Sequence, residues 1–154
     1  MNTNTLLAVA TAVSLLMGCA KDGVEGPRGP QGNANVHSQI ITVNPSDWTN
    51  SFGYHIVGLQ VASITSDIVA TGAVMVYSSY EGTSWVALPY TLSAVDHSYE
   101  YDAGAVQVRY EGGEAIAIPT TFKVITLSSS GMIPSDLDLT DYDAVKDYFK
   151  LEEK

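Results

Sequence analysis

Between Val36 and Leu127, apolar and polar residues alternate in short runs broken by glycine, proline and serine, a pattern that predicts β-strands joined by turns. The cleanest run is Val106-Gln107-Val108-Arg109-Tyr110-Glu111, apolar one way and polar the other. Gly112-Gly113 follows and reads as a turn, which predicts Ala115 to Ile118 as a returning hairpin partner. Further strands are predicted at Val36–Val43, His55–Ala62, Ala73–Tyr77, Ser84–Leu88 and Thr121–Leu127. Val57, Leu59 and Val61 share one face, as do Phe122, Val124 and Thr126. Ala73 to Tyr77 is apolar at every position, as in a central strand covered on both sides. Five to eight such strands without alternating helices predict an all-β fold, a β-sandwich-like domain over residues 36–154. A domain of roughly 120 residues buries enough surface to fold alone.

The period changes near the end of the chain. Tyr142, Val145, Tyr148 and Phe149 fall on one face at helical spacing, predicting a short helix over 141–151. Thr140 is the expected cap, with Asp143 as its capping-box partner and Asp141 beside the positive end of the dipole. Lys146 and Lys150 lie toward the negative end.

The first eighteen residues carry no charged side chain, and Leu6 to Met17 is apolar apart from Thr11 and Ser14. That length suits a signal peptide over 1–18 and is too short to span a bilayer comfortably. It closes on Leu16-Met17-Gly18-Cys19, which resembles the lipobox of bacterial lipoproteins. The resemblance implies cleavage before Cys19 and acylation of its thiol and amine, giving a membrane anchor of more than one chain. Cys19 is the only cysteine, so the chain has no disulfide of its own. Ala20 stands where an aspartate would resemble an inner-membrane retention signal, which points to the outer membrane. Lys21-Asp22 resembles short export signals of surface lipoproteins, and the surface and periplasmic faces both stay open.

A collagen-like linker fills 19–35. Glycine recurs at Gly23, Gly26, Gly29 and Gly32, with Pro27 and Pro30 holding polyproline-II geometry. Two readings stand: a semi-rigid spacer of about 3.1 Å per residue, or the stalk of a homotrimer.

Nearly the whole chain resembles collagen-repeat lipoproteins of Gram-negative bacteria. The resemblance rests on the lipobox, the triplets, and Gly32-Asn33-Ala34-Asn35-Val36 joining spacer to β domain. It continues through Gly72 to Tyr77, Trp85-Val86-Ala87-Leu88-Pro89-Tyr90-Thr91, Pro119 to Val124 and Asp141 to Phe149. It implies architecture and location, and no catalytic residue.

Seventeen acidic against seven basic residues give a formal net charge of −10, which argues against nucleic acid as a partner. His37, His55 and His97 are scattered, and no nucleophile elbow or phosphate-cradling loop is present. Asp136 to Asp147 has the carboxylate density of a calcium loop but places Asp141 where an EF-hand needs glycine. The expectation is therefore no metal, no cofactor and no catalysis. Nine tyrosines and two tryptophans remain. Tyr77, Trp85 and Tyr110 are expected in the core. Tyr54, Tyr80, Tyr99 and Tyr101 sit near polar or turn residues and are the candidate ligand-binding aromatics. Two functions follow: a non-enzymatic structural or interaction module, or a surface receptor for a glycan or host ligand, whose identity stays open.

Overall fold

The computed structural model describes residues 35–130 and 133–151. The signal peptide, the lipobox, Cys19 and the collagen-like glycines lie outside the described residues. Nine strands are described: β1 (Val36–Val43), β2 (Thr49–Ser51), β3 (Tyr54–Gln60), β4 (Ala73–Ser79), β5 (Val86–Ala87), β6 (Tyr90–Leu92), β7 (Val95–Asp102), β8 (Ala105–Glu111) and β9 (Thr120–Leu127). Two α-helices, α1 (Ser66–Thr71) and α2 (Tyr142–Phe149), and a 3-10 turn at Pro45–Asp47 complete the set. The fold is an all-β sandwich with a short C-terminal helix. One sheet runs β1-β9-β4-β5 and the other β2-β3-β8-β7-β6, with every pair antiparallel.

Alternation decides what each strand buries. In β8, Val106, Val108 and Tyr110 face inward, while Gln107 and Arg109 face out. They meet Val57 and Leu59 of β3 and Phe122, Val124, Val74 and Val76 of the opposite sheet, with Trp48 wedged between Tyr110 and Phe122. β4 and β9 are buried on both faces. Their second face carries Met75, Tyr77, Ile125 and Leu127, which α2 covers with Tyr142, Val145 and Phe149. Gly72 enters β4 where any Cβ would overlap the Leu127 carbonyl, so only glycine lets α1 close onto the sheet edge.

Three expectations are corrected. Ala115 to Ile118 is not a strand: β8 already has β3 and β7 as partners, so the chain after Gly112-Gly113 crosses to the other sheet as a loop. The predicted strand at Ser84–Leu88 shrinks to Val86–Ala87, pairing only with Tyr77 and Ser78. The cap of α2 is Asp141, whose carboxylate accepts from the backbone N–H groups of Asp143 and Ala144. Thr140 instead gives its hydroxyl and its N–H to Asp138, whose carboxyl these bonds hold below its ordinary value. Five elements lie outside the predicted set: the 3-10 turn at Pro45–Asp47, β2, β6, β7 and α1, the last capped by Thr65. Among the described residues no helix is long and apolar enough to cross a membrane.

Candidate functional site

Strand direction gathers four loops at one end of the sandwich. β4 ends opposite the start of β9, with Ser79 paired to Thr121, so Tyr80 emerges where β9 begins. β8 ends there too, and its Gly112 N–H donates to the carbonyl of Gly53 in the β2–β3 turn. The β6–β7 turn, Ser93-Ala94, stands beside Gly112. β1 begins at the other end, Val36 paired with Leu127, about 25 Å away along the strands. Whatever precedes residue 35 therefore attaches at the end opposite these loops.

A cavity of about 340 Å³ opens at the loop end, lined among others by Tyr80, Leu92, Val95, Glu114, Ile116 and Ile118. Beneath them lie His55, His97 and Tyr110. The register explains this floor: His55 of β3 and His97 of β7 both pair with Tyr110 of β8, and His97 pairs in turn with Tyr90 of β6. One cross-strand row thus runs His55–Tyr110–His97–Tyr90 on the inner face. Tyr90 stacks on His97 at 4.2 Å, and His97 meets Tyr110 edge-on at 4.0 Å.

Both imidazoles are more than nine-tenths buried, His55 at 8 % exposure and His97 at 5 %. His55 Nδ1 is hydrogen-bonded to Asn50 Oδ1. His97 Nδ1 donates to the Val95 carbonyl at 3.0 Å. Burial lowers the His97 pKa from its ordinary value, against the opposing pull of the Val95 and Tyr90 backbones and of Asp96. Burial likewise pushes the Tyr110 phenol upward. Its oxygen is buried without a well-formed hydrogen bond, with the hydroxyls of Ser78 and Tyr80 as neighbours. Two strand spacings, about 10 Å between backbones, separate the histidines, and among the described residues no group of three or more His, Cys, Asp or Glu side chains is gathered that could hold a metal ion. The floor offers hydrogen-bonding groups among aromatic faces, an arrangement suited to holding a ligand.

The four candidate tyrosines do not form one platform. Tyr80, 47 % exposed, stands at the cavity mouth. Tyr54 lies on the outer face of its sheet under Arg109, with the guanidinium 5.4 Å from its ring centre. Tyr99 is half-buried, donating its hydroxyl to the Val74 carbonyl at 2.8 Å. Odd positions of β7 face the inner layer, which overrides the expected exposure of Tyr99. Tyr101 follows it on the same face, 37 % exposed and stacked on Tyr99 at 6.4 Å. Of the expected core aromatics Tyr77 and Tyr110 are buried, and Trp85 is half-buried.

The sequence reading missed His55 and His97 as neighbours. The signal was the alternation in Val95-Asp96-His97-Ser98-Tyr99-Glu100-Tyr101-Asp102, a strand whose inward positions are His and Tyr. Comparison with family models, with curated proteins and with solved structures finds no match to this chain. The site must speak through its own chemistry.

Proposed function

We propose that this chain is a lipid-anchored protein of the bacterial outer membrane whose β-sandwich head is a non-enzymatic binding module. The anchor is Cys19, and the collagen-like tract is the spacer. The observation that carries the binding role is the cavity at the loop end, remote from residue 35, where the spacer joins the head. A ligand site at the far end of a tethered domain is open to whatever the domain meets. The glycan-receptor alternative loses support, because its four tyrosines are divided between two faces and one end.

Two measurements test the proposal. Cys19→Ser should release the chain from the membrane fraction and abolish incorporation of labelled palmitate; continued membrane retention without label would refute the anchor. Thermal-shift screening of the head against small molecules, glycans and peptides should yield ligands whose shift disappears in Ala117→Trp, which fills the cavity. If every shift survives that change, the cavity is not the site.

A further inference from the structure

The loop end is built against the ordinary rules of a solvent-facing surface. Phe52 is 99 % exposed at the tip of the β2–β3 hairpin. Phe52 and Gly53 both have positive φ, at 50° and 83°, so the turn is of the type that favours Asn-Gly. A phenylalanine there costs about 1 kcal/mol in backbone strain, and its ring touches no core. Leu92 at 57 % and Ile118 at 52 % exposure join it and Tyr80 around the same end. Tyr80, Leu92 and Ile118 line the cavity while facing solvent, and Phe52 stands on the adjoining hairpin, whose Gly53 carbonyl accepts from the cavity-lining Gly112; large exposed side chains gathered in this way mark an interaction site.

Charge at this end has one sign. Glu114 lines the cavity, Glu81 is exposed beside Tyr80, and Asp96 and Glu111 are exposed at the same end on the outer face of their sheet. Residues 49–53, 80–85, 88–96 and 111–119, which make up the segments at this end, contain no Lys or Arg. Asp96 and Glu111 stand directly opposite each other in the β7–β8 register. Like charges so placed repel, and a cation between them relieves the cost. Arg109, the nearest cation along β8, turns instead to Glu100 at 3.6 Å and to the Tyr54 ring.

We propose that the loop end binds a cationic peptide segment: an apolar side chain enters the cavity, and flanking Lys or Arg side chains engage Glu81, Asp96, Glu111 and Glu114. This deepens the reading of the cavity as a ligand site and rests on it. The cavity of about 340 Å³ has room for one or two side chains, at the lower end of ligand pockets. The acidic rim accelerates encounter with a cation and excludes acidic partners. Tyr80 at the mouth offers a ring face to a Lys or Arg head.

The test uses the full chain in phosphatidylcholine nanodiscs and fluorescence anisotropy of labelled pentapeptides, with empty nanodiscs as control. Lys-Lys-Phe-Lys-Lys should bind, weakening at least about tenfold with Phe52→Gly or Glu111→Gln, a loss of about 1.4 kcal/mol. Lys-Lys-Gly-Lys-Lys should bind at least about tenfold more weakly, by the same conversion. Equal binding of the two cationic peptides would overturn the proposal, leaving only diffuse attraction to an acidic protein. Equal binding of Glu-Glu-Phe-Glu-Glu would also overturn it, leaving a cavity that takes apolar groups regardless of charge. No binding by any peptide, or binding only to the lipid of empty discs, overturns it as well. Ala117→Trp separates the two readings: if it blocks Glu-Glu-Phe-Glu-Glu, the cavity stands and the cationic class falls. If peptide binding ignores Ala117→Trp, the cavity falls too.

Discussion

The molecule buries basic side chains among aromatic rings in two places, and the two are finished differently. On the inner face of the five-stranded sheet, His55 and His97 flank Tyr110 under an open cavity. On the outer face of the four-stranded sheet, Lys123 is 1 % exposed, with Nζ 4.3 Å from the centre of Trp85 and 4.1 Å from that of Tyr142. Nζ also donates to the Tyr142 hydroxyl. Tyr77 packs edge-on against Tyr142 at 5.2 Å and donates its own hydroxyl to the Leu139 carbonyl at 2.7 Å. Burial pushes the Tyr77 phenol upward, with neighbouring Tyr99, Tyr142, Asp138 and Asp141 adding to the effect.

The second cluster is closed by α2 and the segment before it; the first is roofed only by turns. A sealed cation orders its surroundings, because every donor must be met and the ring faces hold it in one place. An imidazole pair beside a cavity keeps hydrogen-bonding capacity for something that arrives. The rings around Lys123 are thus sealed by packing, whereas those around the histidines lie under an open cavity.

That contrast can be broken from the strong side first. Phe149→Ala removes the buried anchor of α2 and should cost about 3 kcal/mol or more in urea unfolding while leaving ligand binding at the loop end unchanged. Loss of both together would mean the two clusters are coupled. Tyr142→Phe should cost about 1.5–3 kcal/mol, the range for a hydrogen bond to a charged group. A variant as stable as the parent would show that the phenol does not hold Lys123.

At the loop end the expected effects on stability are small and carry the opposite message. Phe52→Gly should raise unfolding stability by about 1 kcal/mol through relief of left-handed strain while weakening peptide binding. A destabilised variant would mean that Phe52 packs somewhere in solution. The smallest effect is the pH dependence of His97. Burial favours its neutral form in the folded state, so the unfolded chain binds more protons as pH falls through about 6.5. Stability should be level above that point and decline below it, and His97→Gln should flatten that part of the profile. An unchanged profile in His97→Gln would place the acid sensitivity elsewhere.

Much of this architecture was already legible along the chain. Period-2 alternation marked β1, β3, β8 and β9 almost to their ends, and the doubly apolar Ala73 to Tyr77 announced a strand covered on both sides. The buried stripe of α2 was equally plain at Tyr142, Val145 and Phe149, because a helix ordered by packing writes it at a fixed spacing, whereas Tyr148, expected on the same face, is 46 % exposed. β7 escaped notice because its inward positions carry His and Tyr, residues that hydropathy does not separate from their polar neighbours.

The site was not legible, for a physical reason. Alternation states which face a residue occupies but not which strand lies beside it, nor in what register. His55 and His97 are forty-two positions apart and meet Tyr110 from opposite sides only because β3 and β7 both pair with β8. Lys123 reads as an ordinary outward lysine on a strand until α2 and Trp85 close over it. The sequence by itself determined β1, β3, β4, β8 and β9, their inner faces and the closing helix, because these follow from local spacing. The tertiary structure alone decided the histidine row, the lysine cage and the acidic, apolar-rimmed cavity, because each is assembled by pairings between segments that local spacing does not specify.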